Sequence, residues 1–133
     1  MNKGTYVIVL KIDRDVNVSR PSFQELSKGL YAYVGSAMNS LTARLRRHLS
    51  KNKKIHWHID QLTEVGEVIL IVAFTGNRLE EKLSHFLSDR FEVIKNFGSS
   101  DLRTKGNLFK LTDMSDLLES LKHFCEKFRD FCV

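Results

Sequence analysis

Proline and cysteine are nearly absent: the 133 residues contain Pro21 alone and the pair Cys125 and Cys132. The single proline confines its own neighbourhood to a sheet edge or a loop. Two cysteines are too few for a disulfide scaffold and wrongly spaced for a zinc site. Seven positions apart on one helix, they stand about two turns apart, too far to be bridged. They read as reduced apolar residues, which implies a cytoplasmic protein. No apolar run approaches the roughly 20 residues that span a bilayer, so no membrane partner is expected. The opening Met1-Asn2-Lys3-Gly4 leads straight into a strand-like segment without the apolar core of a signal peptide. Internal repeats, low-complexity tracts and interdomain linkers are also missing.

The most informative absence is of acid. From Gly35 to Ile59 there is no Asp or Glu, while Arg44, Arg46, Arg47, Lys51, Lys53 and Lys54 all fall there. These six cations exceed the net charge of +5, so the rest of the chain is close to neutral. A local basic block on a balanced domain suits a polyanion, with a phosphate backbone the first candidate. A solvated charged helix explains the charge alone equally well.

Apolar residues make up 42% and charged residues 28%, the balance of a globular chain. The length suits one domain over 1–133, with a core of about 4–111 and a terminal helix of about 114–133. Thr5 to Ile12 has apolar residues on both alternating faces and predicts a central strand. Val16 and Val18 suggest a short strand. Leu30 to Val34 is the next, ended by Gly35-Ser36, with Tyr31 and Tyr33 on one face. Leu41, Leu45 and Leu49 mark a helix capped by Asn39 or Ser40. Ile55 to Val65 predicts a second helix, stopped at Gly66. Glu67 to Phe74 reads as a buried strand. Asn77 and Glu80 have capping-box spacing, opening a helix with Leu79, Leu83, Phe86 and Leu87 on one face. Short strands at Phe91 to Ile94 and Leu108 to Leu111 flank a polar loop, and Asp116 to Phe131 forms the last helix. The order predicts an α+β domain: a small, mainly antiparallel central sheet flanked by helices, with an extra C-terminal helix.

Three pieces carry chemistry. The first strand holds Gly4-Thr5-Tyr6, the later one ends in Tyr33-Val34-Gly35, and the next helix bears Arg44. The segment YVGSAMNSLTARLRRHL resembles the GIY-YIG nuclease superfamily, whose two tripeptides lie on adjacent strands before a helix with a catalytic arginine. With KKIHWHID (53–60), RLEEKLSHFL (78–87) and NFGSSD (96–101), the chain looks like a narrower, largely archaeal branch. Members of that branch also occur fused to an endonuclease III-like DNA repair domain. The resemblance runs from Gly4 to about Leu111.

That resemblance implies a metal-dependent endonuclease hydrolysing phosphodiester bonds in DNA, in repair or processing. The partner is then DNA, with a functional link to a DNA repair glycosylase. A twofold homodimer would suit cutting two strands. The alternative is a non-catalytic nucleic-acid-binding module of the same fold, and a third reading is a protein-interaction domain with a merely solvated basic helix. By resemblance, Tyr6 and Tyr33 position or deprotonate the attacking water, and Arg44 holds the scissile phosphate with its planar fork. A phenol with a pKa of about 10 is a poor base at neutral pH, so nearby cations would have to depress it.

The superfamily's metal ligand is one glutamate on a later helix. At about 100° per residue, Glu81 points away from the apolar face and Glu80 lies at its edge, which selects Glu80. A single carboxylate with several waters suits Mg²⁺, or Mn²⁺. Arg46, Arg47, His48, Lys51, Lys53, Lys54 and His56 are the candidate nucleic-acid contacts. His56 and His58 would share a face on a strand and could chelate, but diverge by about 200° on the predicted helix. Trp57 stacking on a base is another reading of the same segment. Gly35, Ser99, Ser100, Asp101 and Asn107 are candidates to line the cleft. After FGSSD the chain departs from its branch, with Leu102, Thr104 and Asn107-Leu108 where cysteines and a His-Leu pair are usual.

Overall fold

Alternation along Gly4–Ile12 (β1) sends Tyr6, Ile8, Leu10 and Ile12 to one face and Val7 and Val9 to the other, and all six are buried. Both faces must therefore be covered. The computed structural model describes residues 1–20, 22–51, 53–95, 97 and 106–128. After β1 come β2 (Val16–Val18), β3 (Gln24–Leu26), β4 (Gly29–Ala37), α1 (Leu41–Leu49) and α2 (Asp60–Val65). Then follow β5 (Glu67–Thr75), α3 (Glu80–Ser88), β6 (Glu92–Ile94), β7 (Leu108–Leu111) and α4 (Met114–Lys127). The main sheet has the order β5-β1-β4-β7-β6, every pair antiparallel, and β2 and β3 form a separate hairpin sheet. The fold is α+β, as the sequence predicts.

Two cores lie on the two faces. Tyr6, Ile8, Leu10 and Tyr31 pack with Leu41 of α1, Leu62 of α2, and Val18 and Leu26 of the small sheet. Val7, Val9, Ala32 and Val34 pack with Leu79, Leu83, Phe86 and Leu87 around α3 and with Leu117, Leu121 and Phe124 of α4. Burying each such side chain contributes about 1.5–3 kcal/mol before entropy. Among the described residues, no helix is long and apolar enough to cross a membrane.

Several expected boundaries shift. β4 continues through Gly35-Ser36 to Ala37, because Gly4 pairs with Ala37 across the ladder. β5 is an edge strand bonded only to β1, so it is half-exposed rather than buried. α1 buries Leu41 and His48 and leaves Leu49 outside. The stripe is thus i, i+4, i+7, which keeps one azimuth better than i+8. Ser40 caps α1, its hydroxyl accepting from Ala43 N–H at 3.1 Å.

α2 is six residues long, not eleven, and residues 55–59 precede it outside any helix. Asp60 Oδ2 accepts from the N–H groups of His56 and Trp57, which holds that segment in a turn. The expected capping box at Asn77 does not form. Thr5 Oγ1 of β1 instead accepts the Leu79 N–H at 2.6 Å, and α3 begins at Glu80. α4 starts two residues before the predicted Asp116, capped by Asp113.

The glycines of the two tripeptides have separate steric causes. Gly4 has φ +155°, and a Cβ there would lie 2.1 Å from the Phe74 carbonyl oxygen of β5. Gly35 is opposite Tyr6 in the ladder, and a Cβ there would lie 2.5 Å from the Tyr6 hydroxyl. Gly35→Ala should therefore displace the Tyr6 ring and cost about 1–3 kcal/mol, read by urea unfolding. Wild-type stability in that variant would mean the ring turns aside freely.

Candidate active site

Register places the aromatic half of the site. Tyr6 pairs with Gly35 and Ile8 with Tyr33, so Tyr6 and Tyr33 share a sheet face. His48 of α1 comes down between them. Its Nε2 is 2.7 Å from the Tyr6 hydroxyl, and its ring meets Tyr33 edge-on at 6.1 Å. Burial pushes the His48 imidazole down to about 4; Asp60 pulls it up, and Arg44, Lys53 and Arg47 push it further down. It is neutral at pH 7, and in the tautomer with its proton on Nδ1 its Nε2 accepts from Tyr6 O–H. Burial pushes the Tyr6 phenol up to about 12, and Arg44 offsets this only in part. Burial raises Tyr33 further, with Tyr6 and Glu80 adding to it. The cations thus do not depress these phenols below their usual range, contrary to what their use as bases would require.

Arg44 stands one turn before His48 on α1. Its Nη1 donates to the Ser36 carbonyl at 3.0 Å, and its guanidinium lies 4.4 Å from the Trp57 ring centroid. Ser36 faces both ways. Its hydroxyl donates to Glu80 Oε1 at 2.6 Å and accepts from Arg78 Nε at 3.1 Å. By strand parity the Ser36 side chain belongs to the face opposite Tyr6, so this residue joins two half-sites.

Glu80 is buried and Glu81 exposed, as helical geometry predicts. Glu80 Oε2 accepts from Asn107 Nδ2 at 2.7 Å, and Asn107 Oδ1 accepts from Ser84 Oγ at 3.2 Å. Main-chain bonds fix Asn107: Val34 N–H donates to its carbonyl and its N–H donates to Phe97 O. Neutral donors thus hold the Glu80 carboxylate, and among the described residues no Lys, Arg or His lies within ion-pair distance of it. A buried carboxylate without a cationic partner fits a hard divalent ion completed by water. The described residues gather no cluster of three or more His, Cys, Asp or Glu side chains.

The remaining candidates divide. Arg46, Lys54 and His56 are exposed. Arg47 turns inward, donating to Asp60 Oδ2 at 2.6 Å and to the Lys54 carbonyl at 2.8 Å. Lys51 Nζ donates to the carbonyls of Thr63 and Gly66, and Lys53 Nζ to that of Ser50. His56 packs edge-on against Trp57 and His58 against Phe97, so the two do not share a ligand set. Gly35 serves by its smallness. Ser99, Ser100 and Asp101, like Leu102 and Thr104, lie outside the described residues.

Ser36, Arg78, Ser84 and Asp60 are the residues that sequence reasoning did not single out. HWHID signalled Asp60 only as part of a motif. Asp60 is fully buried, and its Oδ2 takes three donors from Arg47, His56 and Trp57. Burial opposes its charge, but the Trp57 and His56 N–H groups and Arg47 outweigh it and hold the carboxyl below its usual range. Arg47 Nε, His48 Nδ1 and Asp60 Oδ1 are buried without a hydrogen-bond partner among the described residues.

Acid should act on this cluster in two stages. His48 titrates lower in the folded chain than the unfolded 6.5, so the unfolded chain takes up the proton first. Stability falls as pH drops from about 6.5 to about 4, and His48→Gln should flatten that limb. Asp60, depressed in the fold, contributes stability above its unfolded value that is lost at still lower pH. Urea unfolding at stepped pH reads both, and parallel curves for wild type and His48→Gln would refute the first stage. Asp60→Ala should cost about 2–3 kcal/mol at pH 7, since it strands Arg47 and two N–H groups.

No curated protein matches this chain, and no solved structure does. One family model, described as a domain of unknown function, DUF123, matches residues 5–130. The matched span takes in both tyrosines, Arg44, His48, Asp60, Glu80 and Asn107, and on it the chain belongs to the DUF123 family.

Proposed function

We propose that this chain is a metal-dependent endonuclease of the GIY-YIG type, hydrolysing phosphodiester bonds in DNA. The observation that carries the reading is the convergence on Ser36 of two half-sites. One holds Tyr6, His48 and Arg44; the other is a buried Glu80 with no ion-pair partner among the described residues. The tyrosines and glycines of the two tripeptides, which read GTY and YVG here, together with Arg44 and Glu80, resemble the superfamily pattern.

In this reading Arg44 holds the scissile phosphate and stabilises charge on its non-bridging oxygens. A water attacks phosphorus on the side of the tyrosines. As the new P–O bond forms, the water proton passes to the Tyr6 oxygen and the Tyr6 proton to His48 Nε2. Tyr6 then need never be an anion at rest, and His48, which burial holds at about 4, passes the proton on to solvent once the bond is made. The P–O bond to the sugar oxygen breaks, and that oxygen leaves with the bonding pair and takes a proton from solvent water. A Mg²⁺ or Mn²⁺ ion on Glu80 would neutralise charge on that oxygen. Asn107 and Ser36 orient the carboxylate that would hold it.

One observation favours the non-catalytic alternative. Both phenols rise, and a site kept for binding alone has no need of an ionisable group. That module would bind DNA with strong salt dependence and no turnover.

Supercoiled plasmid with Mg²⁺ or Mn²⁺ separates the two. Wild type should nick it, and chelation should stop the nicking. Arg44→Ala and the near-isosteric Glu80→Gln should each lose about 10²-fold or more in rate. Equal nicking by wild type and both variants would defeat the site assignment. Salt-sensitive binding without nicking by wild type would favour the module.

A further inference from the structure

Beside Arg44 lies a groove of about 390 Å³ that the proposed chemistry does not use. Met38, Asn39, Ala43, His56 and Trp57 line it together with Arg44. Trp57 is the only tryptophan in the chain, and it is 37% exposed; Met38, on the loop after β4, is 38% exposed. Neither belongs to the two cores. The exposure of Trp57 is not slack. The buried Asp60 carboxylate accepts its main-chain N–H at 2.9 Å and that of His56 at 2.8 Å. The His56 ring braces the indole edge-on at 4.8 Å. A large aromatic is thus fixed at the surface against the arginine assigned to the phosphate.

We propose that this groove takes one unstacked nucleobase of the strand being cut, with Trp57 as stacking platform and Met38 as the facing apolar contact. The inference rests on the reading of Arg44 as the phosphate holder. Three features select the ligand. The guanidinium lies over one face of the indole, so a phosphate held by Arg44 and a base stacked on the other face would be within one nucleotide of each other. The groove lies in the acid-free stretch from Gly35 to Ile59, so the rim carries no like charge to repel a phosphate backbone. An aromatic face accepts any base, and each stacked base adds about 1–3 kcal/mol. In an intact duplex both faces of every base are already covered. The groove therefore directs the enzyme to single-stranded, flapped or gapped DNA, where the base beside the scissile phosphate is free to turn out.

The lone tryptophan reports on its own groove. Without divalent metal, the protein would be titrated with a short oligothymidylate and with an abasic strand of equal length and phosphate count. Intrinsic fluorescence and anisotropy of the labelled strand would be read together. Stacking predicts quenching by oligothymidylate alone and about 5- to 150-fold tighter binding of it than of the abasic strand. Trp57→Leu should remove that preference while keeping the salt-dependent binding of the abasic strand. Equal affinity and equal emission change for both strands would overturn the groove and leave the nuclease reading standing. Base-dependent quenching without metal-dependent cleavage of a flapped or gapped duplex would uphold the groove and defeat the nuclease reading. No binding of either strand would overturn the groove and the reading of Arg44 as the phosphate holder.

Discussion

Tyr6 lies across Gly35, and the antiparallel register of β1 and β4 that permits this fixes nearly everything else in the site. The same register sets Tyr33 on the Tyr6 face and turns Ser36 to the other. It leaves Thr5 pointing toward α3, where its hydroxyl takes the Leu79 N–H. That one bond does the work expected of a local cap and releases Glu80 to meet Ser36 and Asn107. A slip of one residue would turn over the faces of one strand relative to the other and dismantle the two half-sites together.

Burial governs the electrostatics. It keeps His48 neutral and both phenols protonated, so at neutral pH the Tyr6–His48 pair rests uncharged. A neutral pair beside Arg44 leaves the guanidinium as the charged group of that half-site. The Asp60–Arg47 pair behaves differently. It is bound into the main chain of the HWHID segment and serves the shape of the wall, not the chemistry of the floor.

The sequence shows the central strand, the helix at Leu41 to Leu49, and the choice of Glu80 over Glu81, because each depends on local periodicity. It misleads at Ile55 to Val65, where the apolar spacing is helical but a buried carboxylate captures two main-chain N–H groups. It misleads again at Asn77, where a strand residue 72 positions earlier supplies the partner for the start of the helix. Glu67 to Phe74 is apolar enough for a buried strand, yet its place at the sheet edge follows from topology, which composition does not encode. Ser36 and Ser84 carry no signal of their own, since a serine gains meaning only from what the fold sets against it. The basic block was legible as charge, but not that Arg47, Lys51 and Lys53 also donate to carbonyl and carboxylate oxygens of the chain itself.

The bonds that complete the glutamate half-site join residues far apart along the chain: Ser36 with Glu80, and Glu80 with Asn107. Asn107 is itself seated by Val34. The chain is one domain, and a domain folds as a unit once its long-range partners are present. In any chain shorter than residue 107 the Glu80 carboxylate lacks its Asn107 donor, and Val34 lacks the carbonyl that takes its N–H. The order of residues along the chain therefore makes the setting of Glu80 one of the last contacts of the site that a growing chain can form.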